Sequence, residues 1–372
     1  MTGIGNSKGH VVIVGCGAIG SVLVDQVARM PEVNRLTLID PDTYSCENLQ
    51  TQCITRFDIG RPKVTAQRRH VRSIRPDLDV AVHQARVEEL PVGALRGSVI
   101  CACVDSRRTR VDINEIAWRL GIPWIDSGVL ASQMLARVEK FVPGHDQTCL
   151  ECSFGDQHYE TMEFRHPCQK PGDFKTPATG APSYLGSIAA SLQAAECRLL
   201  LLGDFESGLK PGEQLLYGTR THLALISRNR RNPDCRFDHG VYHPDTVAGG
   251  STLRRLLGEI GVQHCSAYMH APGLRFIQGS ACKACGRTDE RFQVLLRGAS
   301  PVRQCRNCAA QETVSPAMLR DRISLRTLSA PLLSKSLTAL GLRPLELFCV
   351  GDGLVERWFI LGASARTAGN KE

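Results

Sequence analysis

Short apolar runs alternate with amphipathic segments over the first third of the chain. Val11-Val12-Ile13-Val14, Leu36-Thr37-Leu38-Ile39, Asp79–His83, Ser98–Val104 and Pro123–Ser127 read as strands. Segments starting at Gly20, near Lys63 and near Ser106 read as the helices between them. That alternation predicts an α/β fold built on a doubly wound, mostly parallel sheet. Such sheets bind ligands beyond the carboxyl ends of their strands, where Gly15, Asp40 and Asp105 would lie.

The pattern changes further along. Residues 129–148 read as a strand pair, with Val138-Glu139-Lys140-Phe141-Val142 its clearest member. Residues 153–183 are rich in Gly, Pro, His and charge, and predict a long crossover loop of the functional or mobile kind. At Pro182-Ser183 an amphipathic helix begins that runs to Leu202. Residues 1–10 read as a flexible tail, 11–243 as one domain, and 245–372 as a smaller C-terminal α+β module. The module is expected to hold a helix near Leu253–Ile260, another near Leu332–Leu340, and a hairpin at Leu345–Leu361 turned on Gly351-Asp352-Gly353.

Composition narrows the class. Hydrophobic content of 42% and charged content of 22% place the chain among ordinary globular proteins. The net charge of +8, carried mostly by Arg, forms no long block of one sign, so it reads as a solvated surface. Nucleic acid is therefore not an expected partner. The apolar run from Val11 to Val24 is interrupted by Gly15, Gly17 and Gly20 and falls short of the ~20 residues of a membrane span. With no signal peptide visible, the expectation is a cytoplasmic protein without membrane association. In that setting the 16 cysteines are not a disulfide framework. The pairs Cys149/Cys152, Cys282/Cys285 and Cys305/Cys308 read as Zn2+ ligands first and redox dithiols second.

The glycine turn carries the first chemistry. Gly15, Gly17 and Gly20 after a strand and before a helix allow a tight turn and close approach of backbone to phosphate. The helix that follows points its free N–H groups at the anion. Asp40, twenty positions beyond Gly20, is placed for ribose hydroxyls. So far an NAD-dependent dehydrogenase fits as well as an ATP enzyme. Lys63 could be a solvated helix start, Asp105 an N-cap and Asn48 a turn residue.

The ordered set Asp40…Asn48-Leu49-Gln50-Thr51-Gln52, Gly60-Arg61-Pro62-Lys63, Cys103-Val104-Asp105-Ser106, Cys149-Leu150-Glu151-Cys152 and Gly186…Glu196 resembles the MoeB/ThiF/HesA family, related to ubiquitin-activating enzymes. The resemblance runs from about Val11 to His239. It implies a Rossmann-like, ThiF-type fold, ATP and Mg2+ as ligands, and adenylation of the C-terminal glycine of a ubiquitin-like or sulfur-carrier protein by a homodimer. Asp40 would hold the ribose, Asn48 and Gln52 would shape the phosphate site, Lys63 would contact phosphates, and Asp105 would face Mg2+. One position departs: the family has arginine where this chain has Thr51. Arg56, Arg61 or an arginine of a second subunit would have to replace it.

The resemblance also implies a thioester step. Its candidate nucleophile is Cys168 in His166-Pro167-Cys168-Gln169-Lys170-Pro171, with Lys175 close in sequence, passing its acyl group to a conjugating enzyme or sulfur donor. An ordinary loop cysteine is the plainer reading. Cys16, Cys46, Cys53, Cys101, Cys103, Cys197 and Cys349 read as packing residues. Cys149 and Cys152 match half of the family's structural Zn2+ site. Cys235 fits the other half, and His239, a better zinc ligand than Asp238, would complete a Cys3His set. Cys282, Cys285, Cys305 and Cys308 have the spacing of a zinc ribbon. Three other functions share these features: adenylation of a ribosomal peptide or of a modified tRNA, hydride transfer, and a catalytically inactive nucleotide- or nucleic-acid-binding protein with Thr51 marking the dead site.

Overall fold

The computed structural model describes residues 9–163, 180–296, 302–305, 307–313 and 319–362. They fall into two compact units. One takes in the chain up to Val87 and Leu95–Tyr242; the other takes in Glu88–Ala94 and the chain from His243 onward.

The first unit is a three-layer α/β domain. Its elements in chain order are β1 (His10–Val14), α1 (Gly20–Ala28), β2 (Arg35–Ile39), α2 (Lys63–Ile74), β3 (Asp79–His83), β4 (Val99–Ala102), α3 (Arg107–Leu120), β5 (Trp124–Leu130), β6 (Leu135–Phe141), α4 (Asp156–Glu163), α5 (Ser183–Leu202), β7 (Glu213–Gly218) and β8 (Leu223–Arg228). One sheet joins all eight strands in the order β3-β2-β1-β4-β5-β6-β7-β8. The first five strands are parallel, and β6 to β8 run antiparallel to their neighbours. Every residue of β1 is buried, as is every residue of β4, because helices cover both faces of a parallel sheet. Reversal of strand order between β1 and β4 opens the crevice in which such sheets hold ligands.

Helix α5 is long and apolar enough to cross a membrane by length and composition, yet half of that stretch is buried. Leu185, Ala189, Ala190, Ala194 and Cys197 pack into the main core, against α1 and the faces of β4, β5 and β6. The helix ends at Gly203, whose φ of +72° lets its N–H reach back to the last turn.

Four expectations change. Of the tail expected over residues 1–10, residues 1–8 lie outside the described residues, but His10 already belongs to β1 and the Gly9 carbonyl accepts from the Asn34 N–H at 2.9 Å. Within 153–183 the chain forms α4 rather than loop, and residues 164–179 lie outside the described residues. The hairpin of β7 and β8 was not foreseen, since β8 is exposed along its whole length and so lacks an alternating pattern. The helix expected at Leu332–Leu340 is one turn, Ala330–Leu333. Beyond it Leu337 donates to the Ser251 carbonyl and Thr338 to that of Gly249, so the backbone pairs with another segment instead of continuing the helix.

The second unit is built on a mixed five-stranded sheet. Its elements are β9 (Asp245–Val247), α6 (Leu253–Ile260), β10 (Tyr268–His270), β11 (Leu274–Ala281), β12 (Thr288–Leu296), β13 (Val302–Gln304), β14 (Gln311–Thr313), β15 (Arg322–Ser324), α7 (Ala330–Leu333), β16 (Leu347–Gly351) and β17 (Glu356–Leu361). The sheet order is β15-β10-β16-β17-β9, with separate ribbons β11-β12 and β13-β14. Leu253, Leu256, Met269, Phe276, Phe348 and Phe359 form its core. The β16–β17 hairpin turns at Asp352, whose carboxylate accepts the N–H groups of Leu354 and Val355 at 3.0 Å each.

A charged network is built into the first sheet. Asp126 on β5 has no exposed surface, and its carboxylate takes Arg110 of α3 at 2.9 Å and Arg137 of β6. Arg137 also donates to Glu139 at 2.8 Å, and Asn229 donates to Glu139 at 2.8 Å. Replacing Asp126 with Ala leaves two guanidiniums without their shared partner. The expected loss is about 3 kcal/mol of unfolding free energy, because both arginines keep some solvent. A urea midpoint that does not move would show that water already screens the network.

Candidate nucleotide site

The glycine turn is fastened at three points. Gly15 has φ +93°, donates its N–H to the Ile39 carbonyl at 2.8 Å, and leaves no room for a side chain: a Cβ there would lie 2.4 Å from the Cys103 carbonyl oxygen. A Cβ on Gly20 would lie 1.9 Å from the Gly15 carbonyl oxygen. Gly17 differs, since a Cβ there meets nothing within 4 Å. The two outer glycines hold the turn shut on the sheet, and the middle one faces open space, as a phosphate cradle requires.

Asp40 closes the crevice from β2. Its side chain is buried, and it accepts the Cys16 N–H at 2.7 Å and the Asp42 N–H at 2.8 Å. Burial pushes this carboxyl up from its ordinary range, while Lys63 and the two N–H groups pull it down. Lys63, the first residue of α2, is also buried. Its ammonium lies 2.9 Å from the Asp42 carboxylate and 5.9 Å from the centre of the Tyr44 ring. Burial pulls the ammonium down, but Asp40 and Asp42 outweigh it and hold it above the ordinary lysine range. Lys63 is therefore a fixed cation in the crevice, and the solvated-helix-start reading fails. Tyr44 braces the arrangement, donating to the Cys16 carbonyl at 2.8 Å and accepting from Gln67 at 2.9 Å.

The loop between β2 and α2 carries the remaining polar candidates. Asn48 accepts the Ser45 N–H at 2.9 Å and so caps a short 3-10 turn, Cys46–Gln50, which is the turn role its type allows. Gln52 has a buried Oε1 with no protein partner among the described residues. Thr51 ends the 3-10 turn. Of the arginines that could replace the family's cation, Arg61 gives its Nε to the Phe57 carbonyl at 3.0 Å, while Arg56 is exposed. Cys46 and Cys53 are exposed on this loop rather than packed, whereas Cys16, Cys101, Cys197 and Cys349 are buried.

Asp105 follows β4 and is exposed at its carboxyl end. The cap of α3 is Ser106, whose hydroxyl accepts the Thr109 N–H, so Asp105 does not cap the helix and its carboxylate is available to a cation. Two side chains that brace the crevice went unnoticed in the sequence. Asp42 is one; the Asp40-Pro41-Asp42 spacing was its only signal. Gln193 of α5 is the other: its amide donates to the carbonyls of Ala102 and Ile125 and accepts from Ser127 at 2.8 Å, tying together the ends of β4 and β5. An apolar helix pattern gives no hint of that. Cys168, with His166, Lys170 and Lys175, lies outside the described residues.

Both cysteine clusters fit zinc. A tetrahedron with Zn–S bonds of ~2.3 Å has S···S edges of about 3.8 Å. Cys149 lies 3.8 Å from Cys152 and 3.8 Å from Cys235, and Cys152 lies 3.3 Å from Nε2 of His239. His239 faces the Phe237 carbonyl through Nδ1 at 2.7 Å; a carbonyl only accepts, so Nδ1 carries the proton and Nε2 offers its lone pair. Asp238 pairs instead with Arg119, Nη2 to Oδ2 at 2.9 Å, which leaves His239 as the fourth ligand. In the second cluster Cys282 lies 3.6 Å from Cys308 and Cys285 3.7 Å from Cys305. Its two knuckles repeat one geometry, the Gly286 N–H bonding the Cys282 carbonyl at 2.8 Å and the Ala309 N–H that of Cys305 at 2.9 Å. Each set supplies four protein ligands, which makes a closed structural site. The purified chain is expected to carry two zinc ions, one per cluster, by elemental analysis. Cys149→Ser and Cys282→Ser should each remove one; zinc unaltered in either variant would separate that cluster from the metal.

Comparison with known proteins follows this geometry. The ThiF family matches residues 4–239. The SAMP-activating enzyme E1 of Haloferax volcanii is 28% identical over 230 residues, covering 61% of this chain and 78% of that one. Ubiquitin-like modifier-activating enzyme 5 of Dictyostelium discoideum is 27% identical over 255 residues, 63% of this chain and 62% of its own length. Molybdopterin-synthase adenylyltransferase of Salmonella typhimurium is 26% identical over 232 residues, 61% and 85%. Among solved structures, E. coli MccB superposes with a TM-score of 0.50 at 20% identity, covering 62% of this chain and 67% of that one, a likeness of fold. With the family matched over the whole described nucleotide crevice and both halves of the first cysteine cluster, the chain belongs to the ThiF family.

Proposed function

We propose that this protein is an ATP-dependent adenylyltransferase that activates the C-terminal glycine of a ubiquitin-like or sulfur-carrier protein. The observation that carries the reading is the convergence of Asp40, the buried Lys63 ammonium and the open Gly17 at the strand ends, with Asp105 exposed at the end of β4. The names of the Haloferax, Dictyostelium and Salmonella relatives support it.

In this reaction the terminal carboxylate of the carrier attacks the α-phosphorus of ATP. A carboxylate–phosphorus bond forms, the bond to the β-phosphate oxygen breaks, and pyrophosphate leaves with the electron pair. Two anions must meet, so positive charge and oriented N–H groups set the rate. Asp40 fixes the ribose, the glycine turn presents N–H groups, and Lys63 neutralises phosphate. Asp105 would hold Mg2+, an oxygen-seeking ion that supplies charge neutralisation when bound. The carrier's folded body has an apolar seat on the sheet: Leu130, Leu135, Leu216, Leu223 and Leu225 share one face by register, and Leu130, Leu223 and Leu225 are exposed.

Cys168 is the proposed acceptor for a second step: its thiolate attacks the acyl carbon of the adenylate, the bond to the phosphate oxygen breaks, AMP leaves, and the thioester is handed on to a conjugating enzyme. The basic neighbours His166, Lys170 and Lys175 support a thiolate there. A homodimeric, cytoplasmic enzyme completes the proposal, with Arg56 or a second subunit supplying the cation missing at Thr51.

Exchange of labelled pyrophosphate into ATP, driven by a carrier ending in glycine, should be detectable with the full chain. Lys63→Ala should lower it about 100- to 1,000-fold. If no carrier, peptide or tRNA supports exchange, and Lys63→Ala changes nothing, adenylation is the wrong reaction. A carrier adduct cleaved by thiols and lost in Cys168→Ser would support the thioester step. An adduct that survives that substitution would rule Cys168 out.

A further inference from the structure

The Lys63–Asp42 pair is lopsided. The lysine side chain is 10% exposed, whereas that of Asp42 is 63% exposed, at a separation of 2.9 Å. Asp42 is also held without its carboxylate. Its N–H donates to Asp40 Oδ1 at 2.8 Å, and its carbonyl accepts the Lys63 N–H at 2.9 Å. The main chain thus fixes the position of the residue, and the side chain alone is free to swing into solvent. The other groups facing the ammonium are the Asp40 carboxylate, which already accepts two backbone N–H groups, the Tyr44 ring and the buried Cys16 thiol. Among the described residues, Asp42 is the one direct ion-pair partner of Lys63.

A buried ammonium without a counter-ion is costly. A phosphate oxygen is a better partner for it than a solvent-exposed carboxylate, since it brings more charge and excludes water. We infer that Asp42 is a displaceable counter-ion: in the nucleotide-free protein its carboxylate occupies the place on Lys63 that a phosphate oxygen takes, and nucleotide binding breaks the pair. This rests on the adenylation reading, in which Lys63 faces phosphate. Asp42 is then a positioning residue, keeping the ammonium charged and aimed between turnovers. The same competition weakens the hold on pyrophosphate once the bond to the α-phosphorus has broken.

The inference separates triphosphate affinity from adenosine affinity. Calorimetric titration of the full chain with ATP in the presence of magnesium, and with adenosine alone, measures both. Asp42→Asn removes the competing charge and leaves the main-chain bonds in place. ATP should bind about threefold to tenfold more tightly, the range for a partly exposed ion pair, while adenosine affinity stays unchanged. Asp42→Glu, which restores the charge, should bind ATP more weakly than Asp42→Asn. If ATP affinity is unchanged or reduced in Asp42→Asn, or if adenosine affinity shifts in parallel, the counter-ion role is wrong and Asp42 merely shapes the loop. Should Asp42→Asn not fold, Asp42→Ser is read by the same criteria. An unaltered chain that binds no ATP overturns the functional reading and this inference together. An unaltered chain that binds ATP while its Asp42 variants behave alike overturns the inference alone.

Discussion

The Asp40 carboxylate is the group on which the rest of the site depends. It lies at the end of β2, buried, and takes one N–H from the glycine turn and one from the loop leading to α2. Two segments with no regular structure of their own are thereby referenced to one rigid strand. The bond from the Gly15 N–H to the Ile39 carbonyl runs alongside it. Through Asp42 the same carboxylate sets where Lys63 begins its helix, so the glycine turn and the buried cation share one origin. An unpaired buried carboxylate would be expensive, and the two backbone donors are what make its burial tolerable.

The metal clusters answer a different physical problem. In the first unit the ligands Cys149 and Cys152 follow β6, while Cys235 and His239 come from the end of the unit. The cluster, which has the geometry to hold zinc, joins these distant stretches beside α3, where Asn114 accepts the Leu150 N–H at 3.2 Å. Arg119 at the other end of α3 takes Asp238 and stacks its guanidinium over Phe237 and Tyr242, at 4.8 and 4.7 Å from the ring centres. The helix that opens beside Asp105 thus ends against the segment that carries Cys235 and His239. In the second unit β11-β12 packs Leu274 and Phe276 into the core, and the four cysteines bring the ends of β11-β12 and β13-β14 together in a set able to hold a metal.

Much of this could be read from the chain. The parallel strands announced themselves because burial on both faces demands unbroken apolar runs, and β3 falls at the residues its pattern marks. The cysteine clusters were legible because thiolate pairs at fixed spacing have few other uses, and in the structure His239 joins Cys149, Cys152 and Cys235 while Asp238 pairs with Arg119. The failures have physical reasons. Strand β8 carries exposed leucines on the side that Leu216 also faces, so period-two alternation is blurred. Gln193 sits on an apolar helix, where its partners, the ends of two strands nearly 70 and 90 positions upstream, leave no local trace. Asp42 looks like a turn residue until the Lys63 side chain is placed.

The charge balance of the crevice explains why Thr51 matters. Lys63 is matched by Asp42 and flanked by Asp40. Arg110, one helical turn beyond Asp105, is bound to Asp126 and to the Val104 carbonyl at 2.6 Å. Arg61 is held by the Phe57 carbonyl. Lys63 and Arg110 are thus matched by carboxylates, whereas the Phe57 carbonyl holds Arg61 in place without neutralising it. An arginine at position 51 would change that sum by one full charge; threonine does not. On the proposed adenylation reading, further charge would come from a cation at Asp105, from the exposed Arg56, and from the Lys63 ammonium once Asp42 is displaced.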